Sequence, residues 1–161
     1  MNTYNISIAG LGGQGIVKAS DILADAAFRA GRDIKKAEVH GMSQRGGSVN
    51  TDIRFGPRIL SPMIPDGEVD ILVVMEATQV ANNRQRLHPE GVLLTTEVLA
   101  NIANAGGKSA NVAMLGVLSA RLDLPESVWQ AAICAALPEP THSVNLAAFA
   151  AGRAAGKLSC R

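Results

Sequence analysis

Ser7–Val17 reads SIAGLGGQGIV: an apolar run broken by four glycines within six residues, with apolar sequence resuming at Ile16. The residues of Asn5–Ala9 predict a buried strand, stopped by Gly10. From Ile16 to Ala30, apolar side chains at Ile16, Ala19, Ile22, Leu23, Ala26, Ala27 and Ala30 keep the three-and-four spacing of an amphipathic helix, and Gly31 stands where a C-cap belongs. Strand, glycine turn and helix form the first half of a βαβ unit. Gly10-Leu11-Gly12-Gly13-Gln14-Gly15 satisfies GxGxxG in its required context, where glycines allow close backbone approach and the helix start presents free N–H groups to an anion. A dinucleotide site also calls for an acidic residue about 20 positions on. Glu38 is placed for that, but VHGMSQRGG follows it, which is not crossover-helix sequence. The loop alone leaves a tight structural turn, a dinucleotide site and another phosphate-bearing or protein ligand open.

Outward from this unit the order is again α/β. A second strand is expected in Asp33–Val39, and Ser48–Phe55 alternates Val49, Thr51, Ile53 and Phe55 against Asn50, Asp52 and Arg54, the mark of a half-exposed strand. Gly56-Pro57 is a turn, after which Arg58–Leu60 could pair back as a short hairpin partner. Val69–Glu76, VDILVVME, is the most continuously apolar strand, as expected of a parallel strand buried on both faces. A helix from about Thr78 to Leu87, a turn at Pro89-Glu90-Gly91 and a strand at Val92–Thr96 follow. The last third reads as helices over Asn111–Leu122, from Pro125 to Leu137, and from about Val144 to Ala155. The expected fold is a Rossmann-like three-layer α/β domain, residues 1–161, with a mostly parallel sheet, helices on both faces and a helical C-terminal third.

Bulk composition excludes several functions. Fifteen Lys and Arg against 14 Asp and Glu leave a formal net charge of +1, and aromatics make up only 3% of the chain, so no nucleic-acid surface is expected. No apolar run approaches the roughly 20 residues of a membrane span. The first strand arrives without a basic stretch before it or a cleavage site after it, so no secretory signal and a cytoplasmic location are expected. Cys134 and Cys160 are the only cysteines, too few for an iron–sulfur cluster, which takes about four thiolates.

A second motif, His40-Gly41-Met42-Ser43-Gln44-Arg45-Gly46-Gly47, is placed on the same carboxyl edge as the first loop, where ligands of open α/β sheets lie. Its glycines allow close approach, and Arg45 could fork to a phosphate or carboxylate. GLGGQGIV, AEVHGMSQRGGSVNTDIRFG and SPMIPDGEVDILVVMEATQ together resemble the small subunit of the 2-oxoacid:ferredoxin oxidoreductases. The likeness is to the beta subunit of the indolepyruvate enzymes, homologous to the gamma domain of the pyruvate enzymes. It covers about Asn5 to Glu97 and resumes in SANVAMLGVLSARLDLPESVWQAAI and SVNLAAFAAGR, with HGMSQRGGSV the most specific piece.

The resemblance implies a hetero-oligomer in which thiamine diphosphate and 4Fe–4S clusters belong to a large catalytic subunit. The reaction implied is oxidative decarboxylation of a 2-oxoacid with coenzyme A, giving acyl-CoA, carbon dioxide and reduced ferredoxin. It implies that Gly10, Gly12, Gly13, Gln14 and Gly15 face a partner subunit or a coenzyme A phosphate. The loop of Gly41, Met42, Ser43, Gln44, Arg45, Gly46 and Gly47 would lie nearest the thiamine site, completed by Arg45, with His40 a further acid–base candidate. The alternative is a stand-alone NAD- or FAD-binding Rossmann protein with Glu38 on the ribose. One departure stands out: the resemblance implies another strand and a helix between VLLTT and NVAML, where this chain has only Glu97–Ala110.

Other candidates carry plainer readings. Glu76 ends the central strand, as a functional group or a helix cap. His88 and His142 read as surface turn residues, Trp129 as core or interface packing, Cys134 as a small buried apolar residue and Cys160 as a tail thiol without a role.

Overall fold

β1 forms where the sequence places it but runs through Gly10 to Leu11, both paired with β3, and the neighbouring elements assemble around that strand. In the computed structural model, which describes residues 2–41, 46–103 and 105–158, the strands are β1 (Tyr4–Leu11), β2 (Asp33–His40), β3 (Ser48–Gly56), β4 (Val69–Val74) and β5 (Leu87–Thr95). They form one sheet in the order β2-β3-β1-β4-β5. β1 pairs in parallel with β4, and β4 with β5, whereas β3 is antiparallel to both β1 and β2. Four strands therefore run one way, and β3 alone opposes them, because the short connection from β2 leaves no room for a crossover helix.

The alternation in β3 divides the molecule. Val49, Ile53 and Phe55 join Ile6, Ile8, Ile71 and Val73 in the main core, beneath α1 (Ile16–Arg29) and α3 (Ala110–Ser119). α4 (Glu126–Ala136) packs against α1, and α5 (His142–Leu158) lies along α3. Trp129 and Phe149 are fully buried between them, ring centroids 5.7 Å apart. Ala9, Leu72 and Val74 face the other way into a smaller core closed by Ile64 and Val80. Helices thus do not cover both faces equally. All four long helices stack on the first face, and among the described residues the second carries only the 57–68 segment and the short turns of 77–86. Among the described residues no helix is long and apolar enough to cross a membrane.

Three local expectations are corrected. The helix expected from Thr78 to Leu87 is a 3-10 turn (Ala77–Gln79), one α turn, α2 (Val80–Asn83), and another 3-10 turn (Arg84–Arg86). Asn83 supplies a reason, since its side-chain amide donates to the Gln79 carbonyl at 2.8 Å in competition with the backbone ladder. Arg58–Leu60 forms no strand; the Ile59 N–H donates to the Asp33 carboxylate at 2.7 Å instead, and Arg54 binds the Ser61 and Met63 carbonyls. Pro89-Glu90-Gly91 is not a free turn before β5 but part of it, in a register irregularity opposite Val69–Ile71. β5 is an edge strand, which tolerates a proline that cannot donate to the ladder.

Beneath the second layer, Arg86 makes a forked pair to Asp52, with contacts of 3.0 and 2.7 Å, and also donates to the Ser7 hydroxyl at 3.0 Å. Ser7 donates in turn to Asp52. This buried network ties β1, β3 and the 77–86 segment together.

Candidate functional site

Both glycine loops meet at the carboxyl edge of β1. The Gly12 N–H donates to the Gly47 carbonyl at 2.9 Å, and the Gly41 N–H to the Ser48 carbonyl at 2.7 Å. A Cβ on Gly10 would lie 2.6 Å from the Ile16 Cδ1 and 2.7 Å from the Gln14 Oε1, so the tips of both side chains would have to shift to admit one. Gln14 folds back over that turn. Its carbonyl oxygen accepts the Leu11 N–H at 2.8 Å and its amide donates to Glu76 at 3.1 Å, fastening the first loop to the end of β4. Gly15, with φ of 75°, opens α1 from the left-handed region that glycine adopts without strain. No side chain caps α1 and no acidic residue stands in its first turn, so its leading N–H groups are not spent on side-chain caps.

The chain leaves β1 toward the first face and β4 toward the second. The reversal makes a topological switch point between them, the place where open α/β sheets form ligand crevices. Gly13 and Gln14 line the crevice with Met75, Thr96, Gly107 and Ala110 in a cavity of about 260 Å³. A neighbouring hollow of about 390 Å³ lies among Gly13–Gly15, Lys108 and Asn111. The Asn111 amide donates to the Gly15 carbonyl at 3.2 Å, bringing the starts of α1 and α3 together. Lys108, Asn111 and Thr96 are positions the sequence reading passed over. Gly106-Gly107-Lys108-Ser109, a second glycine turn opening a helix, was the signal available.

On the other side of the first loop, Gly12, Gly13, Lys18, His40 and Val49 line a cleft of about 390 Å³. His40 therefore does lie beside the first glycine loop. Glu38 does not serve it. It pairs with Lys36 and sits 3.4 Å from His40, while Lys36 also binds Asp21. The hydrogen bond from Lys36 holds the Glu38 carboxyl below its ordinary range against the opposing effect of burial, with His40 adding to the lowering. Lys36 is held above its ordinary value because its bonds to Asp21 and Glu38 together outweigh a larger single desolvation effect. β3 also lies between β1 and β2, so Glu38 is two strand spacings, about 9–10 Å, from the first loop's strand. A ribose bridging Gly10–Gly15 and an acid on the adjacent parallel strand does not fit this sheet.

The remaining candidates resolve individually. Met42, Ser43, Gln44, Arg45 and Cys160 lie outside the described residues. Gly46 approaches Gly12, and Ser48 donates to the Gln79 side chain at 2.9 Å. Glu76 precedes the Ala77 turn without capping it and binds Gln14 instead. The His88 ring accepts the Glu90 N–H, and His142 lies 2.8 Å from the Leu137 carbonyl at the start of α5. Trp129 is core, and Cys134 is half-buried rather than buried. Among the described residues, no group of three or more His, Cys, Asp or Glu is arranged to hold a metal ion. The donor set of the chain does not fit an iron–sulfur cluster, since two thiols fall short of about four.

Comparison with known proteins agrees with this architecture. The profile of the family described as pyruvate ferredoxin/flavodoxin oxidoreductase matches residues 5–155. Indolepyruvate oxidoreductase subunit IorB of Thermococcus kodakarensis is 32% identical over 197 aligned positions, covering 98% of this chain and 98% of that protein. IorB of Methanothermobacter thermautotrophicus is 41% identical over 97 residues, 60% of this chain and 49% of the relative. Among solved structures, the 2-oxoglutarate:ferredoxin oxidoreductase of Magnetococcus marinus superposes with a TM-score of 0.84 at 20% identity, over 98% of this chain and 32% of that one. The gamma subunit of a keto/oxoacid ferredoxin oxidoreductase from Geobacter sulfurreducens gives 0.78 at 20% identity, over 97% of both chains.

Proposed function

The chain belongs to the pyruvate ferredoxin/flavodoxin oxidoreductase family, and on that premise we propose that it is the small subunit of a cytoplasmic enzyme acting on indolepyruvate or another aryl pyruvate. The reaction is oxidative decarboxylation with coenzyme A, giving an acyl-CoA, carbon dioxide and reduced ferredoxin. Thiamine diphosphate and 4Fe–4S clusters are carried by the large subunit, where thiamine supplies the electron sink for decarboxylation. This chain contributes no redox group. Its part is to present one ordered edge to the catalytic subunit.

The observation that supports this reading is the joining of two glycine loops, through Gly12 and Gly47, on a sheet whose β3 separates Glu38 from the first loop's strand. Gln14 and Glu76 hold the first loop in place. His40 and Lys18 add cationic or polar groups at its flank. Gly41–Gly47 reaches toward the thiamine site, Arg45 meets a carboxylate or phosphate there, and Gly10–Gly15 faces the partner or a coenzyme A phosphate.

The test is mild affinity purification of the chain from its native cell, with subunit masses, a visible spectrum and turnover of aryl pyruvates. A brown complex with a much larger subunit is expected, in which Arg45→Ala lowers turnover without releasing the small subunit. A colourless lone chain that binds NAD tightly would overturn the reading.

A further inference from the structure

The two edges of the sheet are guarded unequally. β2 carries Asp33, Lys35, Lys36 and Glu38 along its length, and charges of this kind keep an edge from pairing with another chain. On β5, Pro89, Glu90 and the irregularity opposite Val69–Ile71 blunt only the first half. The second half, Val92-Leu93-Leu94-Thr95, has neither charge nor proline, and it runs in regular parallel register with Ile71–Val74. Its outer row of backbone groups is unpaired: among the described residues, β4 is the only backbone partner of β5. Among the described residues, the connection onward to α3 contains two 3-10 turns, Thr96–Leu99 and Gly107–Ser109, and no strand. The Thermococcus relative aligns over 197 positions against the 161 residues of this chain, so part of its length has no counterpart in this protein.

We propose that the Val92–Thr95 edge of β5 is a strand-pairing site, filled in the assembled enzyme by an extended, uncharged segment of the large subunit. The proposal rests on the subunit reading above. Main-chain N–H and C=O groups in a regular row select an extended strand, and the half-buried Val92 and Leu93 beside them select apolar side chains. The size of the edge argues against a second copy of this chain held by the edge alone. Stable interfaces use about 20–30 residues a side, so four residues cannot by themselves hold two copies of this chain together. They can contribute to a larger footprint, which a large subunit docked on the neighbouring glycine loops provides.

The experiment is amide hydrogen exchange on the isolated chain and on the purified complex. The outward-facing amides of Val92–Thr95 are expected to exchange freely in the isolated chain and to slow by on the order of tenfold or more in the complex. Leu93→Lys, folded by circular dichroism, is expected to weaken the complex by about tenfold or more while β2 exchange stays unchanged. A complex whose β5 amides exchange as fast as in the free chain overturns this proposal and leaves the subunit reading standing. Concentration-dependent protection of β5 in the isolated chain, with a dimer mass, also overturns it in favour of a second copy. Failure to form any complex overturns the subunit reading, and this proposal with it.

Discussion

Gln14 shows how much one side chain can hold. It satisfies the Leu11 N–H and reaches Glu76, so Gln14→Ala frees two elements at once. Its loss is expected to destabilise the fold by about 1–3 kcal/mol, read from the urea midpoint, since part-buried partners are left unsatisfied. Gln14→Glu should be worse than Gln14→Ala, because it sets a second carboxylate against Glu76. Asp33 and Glu38 give a pH dependence. The Ile59 N–H, then Lys35, hold Asp33 below its usual 3.8, while Lys36, then His40, hold Glu38 below its usual 4.5. Groups bound more tightly as carboxylates stabilise the folded state above their usual values, and that contribution is lost as pH falls through the lowered ones. Melting temperature is therefore expected to drop on acidification below about pH 4.5, and less steeply in Asp33→Asn/Glu38→Gln. Lys36, raised above 10.5, loses its contribution only as pH climbs past that value.

At the scale of elements, α3 and α5 pack through glycine. A Cβ on Gly152 would lie inside the contact distance of the Ala113 carbonyl, and one on Gly116 would meet the Phe149 carbonyl. Helical backbone cannot give way as a side-chain tip can. Gly152→Ala is expected to cost about 1–3 kcal/mol or more despite its better helix propensity, lowering Tm by several degrees in a calorimetric scan. A neutral or stabilising result would show that the two helices can part without penalty. The broken helix at 77–86 teaches the opposite lesson. Its apolar pattern is helical, but Asn83 bonds to the backbone and Arg86 is drawn down to Asp52, so tertiary partners set its path.

For the whole molecule, the Ser7–Asp52–Arg86 network joins the thin second layer to the sheet. Arg86→Ala leaves Asp52, only 7% exposed, without its cation and is expected to cost about 3–5 kcal/mol. Arg86→Met paired with Asp52→Leu should recover most of that loss in the same urea titration. The topology makes a second global prediction. With β3 between β1 and β2, calorimetric titration with NAD should show no micromolar binding, and Glu38→Ala should change nothing. Tight NAD binding abolished by that substitution would contradict the geometry.

The sequence by itself determined the family and those elements whose signal is local. Period-2 alternation in β3, the three-and-four spacing in α1 and the glycine turn between β1 and α1 are local, so they could be read along the chain. HGMSQRGGSV identified the relatives, though Met42–Arg45 lie outside the described residues. Only the tertiary structure decided that β3 enters the sheet between β2 and β1, that the long helices share one face, and that Glu38 turns to Lys36. The junction of Gly106–Asn111 with the first loop and the bare edge of β5 belong to the same group. Strand order, facing and partnership depend on residues tens of positions apart, and no local pattern records which distant group will supply a hydrogen bond or a neighbouring strand.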